Sequence, residues 1–192
     1  LFPPPAPGTV VDIARTSAFR YALGYVDGLA REYDVDREEL RAYAQANCRG
    51  LHGISRAFGV FEYMDGRSDN GGESEARAAM ILAGVVAPEL QVEIDRPGNA
   101  CYYLADYGWQ MPDGSWMLAE LHGLGKFEDE TQKDSEHAAA KTYRAALLRD
   151  ANLRAMGHNV IHFKLSDTYD VEEFGAMMRG YGIPTTKPFA DS

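Results

Sequence analysis

One stretch limits this chain more than any other: Cys101–Lys126, CYYLADYGWQMPDGSWMLAELHGLGK, whose central turn fixes both a β-hairpin and its register. Pro112 presets φ for a type I turn, Asp113 tolerates the next position, and Gly114 supplies a residue able to take φ > 0 as a bulge. A loop of residues 112–114 pairs Met111 with Ser115, and counting back along both strands sets Asp106 opposite Glu120. A loop one residue shorter would send the two carboxylates to opposite faces. Directly opposed Cβ atoms lie roughly 4.5–5.5 Å apart. Two like charges at that spacing are unfavourable unless a cation lies between them. The hairpin therefore reads as half of a hard divalent-metal site, suited to Mg²⁺ or Mn²⁺.

Composition narrows the setting. With 192 residues, 45% hydrophobic and 25% charged, the chain can bury a substantial core in one domain or two small ones. Its longest apolar run, Ala78–Pro88, is too short to span a bilayer, and no signal peptide is read. Cys48 and Cys101 lack metal-ligand spacing and are expected as buried free thiols of a cytoplasmic protein. A net charge of −10 argues against nonspecific coating of nucleic acid, though not against an enzyme that meets DNA through a local patch and a metal. The opening LFPPPAPG is read as a stiff entry segment of a chain whose upstream part is missing.

The N-terminal third reads as helical. Val10, Val11, Ile13 and Ala14 suggest one short turn. Ser17 is then expected to cap a helix carrying Phe19, Leu23, Val26, Leu29 and Tyr33. Asp36 caps Arg37–Asn47, and Ile54–Tyr63 forms a third helix. The loop Asp65–Gly72 is the expected boundary between a helical region, 1–66, and a second domain, 67–192. From Glu73 onward the expected order is helix Glu73–Gly84, strand Leu90–Asp95, the hairpin, helix Ser135–Met156, strand Asn159–Leu165 and helix Val171–Arg179. The fold class is thus α/β in the α+β sense: helices, then an αβββαβα core around a mixed sheet.

That order, with Leu104-Ala105-Asp106, Ala119-Glu120-x-x-Gly123-x-x-Lys126 and Leu148-Arg149-Asp150-x-x-Leu153-Arg154-Ala155-Met156-Gly157-His158-x-Val160, resembles the Vsr-like endonuclease domains of the PD-(D/E)xK restriction-endonuclease-like superfamily. Gly72-Glu73-Ser74 and Arg77 belong to the same likeness. Thr9–Arg15 resembles the helical part of AbiEi-type antitoxins. The resemblance implies a metal-dependent DNA endonuclease with Asp106 and Glu120 as metal ligands and Glu73 as an accessory ligand. One departure stands out: His122 occupies the position of the superfamily's lysine. It reads either as an active-site imidazole or as the mark of a decayed site, and Lys126 is the other candidate cation.

Arg77, Lys141, Arg144 and Arg154 are the candidate DNA contacts, and His137 with Lys141 a candidate helper pair. The expected reaction is Mg²⁺- or Mn²⁺-assisted phosphodiester hydrolysis with DNA as partner. The alternative is an inactive nuclease-like antitoxin or regulator that binds DNA or a toxin.

Overall fold

The computed structural model describes residues 3–96, 98, 101–122 and 133–190, and the side chains of 133–143 lie outside that description. The fold is α+β. In chain order come α1 (Pro7–Thr16), α2 (Phe19–Tyr33), α3 (Arg37–Asn47), α4 (Ile54–Tyr63), α5 (Gly71–Leu82), β1 (Glu89–Asp95), β2 (Tyr102–Gln110), β3 (Trp116–His122), α6 (Lys133–Ala155), β4 (Asn159–Lys164) and α7 (Val171–Gly180). The expected αβββαβα order from α5 onward is present. No helix among the described residues is long and apolar enough to cross a membrane.

The chain packs as two compact units, residues 1–87 with 168–192, and residues 88–167. The division does not fall at the expected 66/67 boundary. In the first unit α5 packs on α2, and α7 packs on α5. Its core joins Val11, Phe19, Leu23, Leu40 and Phe61 to Ala78 and Ile81 of α5. The loop before α5 therefore ends an element and not a packing unit.

Side-chain caps start α3, α5 and α7. Asp36 accepts the Glu38 N–H at 2.8 Å and starts α3. Asn70 accepts the Glu73 N–H at 3.1 Å and gives its own amide to the Glu73 carboxylate at 2.7 Å, a reciprocal cap that starts α5 two residues earlier than expected. At the N-terminus Pro7 opens a full ten-residue α1 in place of the expected short turn. Ser17 ends α1, its N–H on Ile13 O at 3.0 Å, and does not cap α2. Cys48 is buried as expected, whereas Cys101, beside the start of β2, is exposed; both are free.

The second unit is a four-stranded sheet in the order β1-β2-β3-β4 with α6. The first three strands are antiparallel neighbours, and β3 and β4 are parallel. A parallel pair needs a long crossover, which α6 supplies. Leu153 of α6 joins Val92, Ile94, Tyr103, Ala105, Leu118 and Val160 in one core cluster.

The hairpin has the register its turn dictates. Tyr107 pairs with Ala119 and Gln110 with Trp116, and the Met111 N–H reaches Ser115 O at 2.8 Å. Asp113 Oδ1 accepts the Ser115 N–H at 2.9 Å, and Gly114 holds φ at 84°. Nothing lies within 4 Å of where a Gly114 Cβ would stand, so Gly114→Ala meets only the left-handed backbone penalty. We expect it to lose about 1–2 kcal/mol in urea unfolding. An unchanged midpoint would show that the turn does not hold the register.

Candidate functional site

The polar residues of interest gather at the carboxyl ends of the parallel pair β3 and β4, where open sheets commonly bind ligands. Glu120 and His122 lie two apart on β3 and share one side of the sheet. Parallel pairing sets Glu120 beside His162 and His122 beside Lys164 on β4. The same row continues through Leu118 and Val160, which share a core cluster with Leu153. Arg149 lies one helical turn before Leu153, so α6 delivers Arg149 and Asp150 over Glu120 and His162.

Asp106 occupies a break in the sheet. The β1–β2 ladder pairs Leu90 with Tyr107 and Val92 with Ala105, passing over Gln91 and Asp106, and Gln91 has φ 52°. On the other side the ladder with β3 runs from Gln110 to Tyr107. That ladder stops at Tyr107 and Ala119, so Asp106 is not among the paired residues of the hairpin. Instead the Asp106 carboxylate accepts the Leu121 N–H at 2.9 Å, a side chain standing in for a ladder bond.

Glu120 is half-buried, and its Oε2 lies 2.7 Å from Arg149 Nη2. Asp150 Oδ2 lies 2.7 Å from His162 Nε2, and its Oδ1 lies 3.8 Å from Arg149 Nη2. The rings of His122 and His162 stack at 4.8 Å with 11° between planes. Burial pushes the Glu120 carboxyl above its usual range against the pull of Arg149, and Asp106 adds to the rise. Partial burial, then the neighbouring His162, hold the His122 imidazole below its usual value.

The Glu120 shift has a measurable sign. With its folded pKa raised, the native state binds more proton than the unfolded state between about 4.3 and the folded value. This contribution is complete below the unfolded value and is lost as pH rises through the folded one. Plots of unfolding free energy against pH should fall more steeply over that window for wild type than for Glu120→Gln. Asp27, also raised by burial, is common to both proteins and cancels in the difference. Parallel plots would contradict the assignment.

The other expected site residues fare differently. Glu73 is 6% exposed, and its oxygens accept from the Asp69 N–H and the Asn70 amide, both at 2.7 Å. It serves its own helix cap, which competes with the accessory metal role. Arg77 corrects the expectation of a DNA contact: it is 3% exposed and pairs at 2.7 Å with the fully buried Asp27. Helix α5 is buried nearly all round, so a basic residue there points inward. Arg144 and Arg154 are exposed, and Arg154 also reaches Val160 O at 3.5 Å. Lys126 and the side chains of His137 and Lys141 lie outside the described residues.

Arg149, Asp150 and His162 are members that the sequence reading did not select. Their signal was helical and strand spacing: Arg149 and Asp150 precede Leu153 by one turn, and His162 is two residues after Val160.

The donor chemistry can be tested against a metal. Among the described residues, no three His, Cys, Asp or Glu side chains converge as a metal-holding group. Mg²⁺, however, commonly keeps several waters and takes only one or two carboxylates together with substrate phosphate. Glu120 Oε1 is buried with no hydrogen-bond partner among the described residues. Asp106 and Glu120 fit that two-carboxylate pattern.

Two relatives match part of the chain: "Uncharacterized protein MT2308" of Mycobacterium tuberculosis (strain CDC 1551 / Oshkosh) and "Uncharacterized protein Rv2248" of M. tuberculosis (strain ATCC 25618 / H37Rv). Each is 36% identical over 101 residues, which is 53% of this chain and 36% of the relative. The chain thus spans about a third of the length of these relatives. No family model matches the chain, and no solved structure matches it.

Proposed function

We propose that this chain carries a metal-dependent endonuclease site that hydrolyses phosphodiester bonds in DNA, in a cytoplasmic protein. The observation that carries the reading is a half-buried Glu120 near enough to Asp106 for that charge to raise its carboxyl, with one of its oxygens without a partner among the described residues. Arg149 offsets part of the cost of burying this carboxylate, and a divalent cation would offset the rest. Asp106 and Glu120 would hold Mg²⁺ or Mn²⁺, which when bound lowers the pKa of a coordinated water and neutralises charge on the phosphate. His122, on the same side at the end of β3, would orient the attacking water. Its ring is kept in place by stacking on His162, which Asp150 anchors in turn. Exposed Arg144 and Arg154 would meet the DNA backbone.

Incubation with plasmid or single-stranded DNA in Mg²⁺ or Mn²⁺ tests the reading. Cleavage that disappears in Asp106→Ala is expected, and activity equal in both proteins would remove it.

One observation favours a second reading. Arg149 already supplies a positive charge to Glu120. A site neutralised in this manner suits a nuclease-like antitoxin or regulator that binds DNA or a toxin without cutting. Stable DNA binding with no metal-dependent cleavage would select it.

A further inference from the structure

Four buried polar atoms in one place lack a hydrogen-bond partner among the described residues: Glu120 Oε1, Asp150 Oδ1, Arg149 Nε and His162 Nδ1. The two carboxylate oxygens call for a donor or a cation. Arg149 Nε, always protonated, calls for an acceptor. A buried group left unpaired is costly, so a cluster that is short of both kinds of partner is suited to a ligand supplying both. A divalent cation bound to a phosphate oxygen is such a ligand. Arg149 contacts Glu120 through Nη2, at 2.7 Å, and the side chain is 25% exposed, so solvent and substrate can reach it.

We propose that Arg149 is the phosphate-binding residue of this site and that it changes partner. Without metal its guanidinium neutralises Glu120. A cation taking Glu120 competes for the same lone pairs and releases the guanidinium, whose planar fork then takes two oxygens of the DNA phosphate. Arg149 thereby couples metal binding to DNA binding and delays metal uptake until phosphate is at hand. The proposal rests on the nuclease reading and assigns its substrate contact.

The test uses the full chain with two probes: Mn²⁺ by calorimetry without DNA, and a short fluorescein-labelled DNA duplex by anisotropy in Ca²⁺, a cation with the same preference for oxygen ligands. In Arg149→Met, Mn²⁺ affinity should rise severalfold because the competitor is gone. DNA affinity should fall by about ten- to a hundredfold, the loss of one charge-assisted contact. Arg149→Lys keeps the charge but not the fork, so it should weaken DNA binding while leaving Mn²⁺ affinity near wild type; it also serves if the methionine variant misfolds. Unchanged or weaker Mn²⁺ binding in Arg149→Met, or unchanged DNA affinity in both variants, overturns the exchange. If wild type still takes up Mn²⁺ and Glu120→Gln does not, that failure is of the exchange alone. A wild type without Mn²⁺ uptake sinks both the exchange and the nuclease reading.

Discussion

Arg77→Leu should lose about 3–5 kcal/mol of folding stability, as measured for buried pairs stripped of one member. Asp27 is fully buried on α2 and accepts from Arg77 Nη2 at 2.7 Å and from the Asp65 N–H at 2.8 Å. Burial already pushes its carboxyl upward, with Arg77 foremost among the groups pulling it back. Removing the guanidinium leaves a carboxylate in the core with neutral donors alone, and α5 loses a tie to α2. Replacing both members by apolar residues of similar size, Asp27→Leu with Arg77→Met, should cost much less, because no charge is stranded. Urea unfolding followed by circular dichroism separates the cases. A loss under about 1 kcal/mol for Arg77→Leu, typical of an exposed pair, would show that the pair is solvated.

Glu120→Gln should reduce DNA cleavage by at least about a hundredfold, since a metal supplies several kcal/mol of charge stabilisation to such a transition state. The amide keeps the volume and can still accept from Arg149, so the fold should survive. It cannot supply the negative charge that a divalent cation requires. Arg144→Ala, on the exposed face of α6, should instead weaken DNA binding modestly and reduce its salt dependence, as for a single phosphate contact. Single-turnover cleavage at saturating DNA distinguishes the two. Wild-type rates in Glu120→Gln would remove Glu120 from the chemistry.

What the sequence made legible was local. Pro112, Asp113 and Gly114 determine the turn through their own dihedrals and hydrogen bonds, so the register from Gln110–Trp116 to Tyr107–Ala119 followed without tertiary information. The start of α3 followed from Asp36 in the same way. The misreadings arose where packing decides. Arg77 lies on a helix rich in alanine that is covered on nearly every side, and its charge suggested a surface that the fold does not provide. Glu73 could decorate a first turn or bind a metal, and it is its reciprocal bonds with the Asp69–Asn70 turn that settle its present partner. The Arg149 contact to Glu120 joins residues far apart in sequence through the β3–α6–β4 crossover. Helical spacing puts Arg149 on the Leu153 side of α6, but only the crossover brings that turn over Glu120.

The most direct measurement is a crystal structure after soaking in Mn²⁺, read by its anomalous signal. The expected map has a peak about 2.0–2.3 Å from carboxylate oxygens of both Asp106 and Glu120, the range for hard cations, with Arg149 turned away from Glu120. A map without a peak at these carboxylates, in which Arg149 still holds Glu120, would contradict the metal-dependent site.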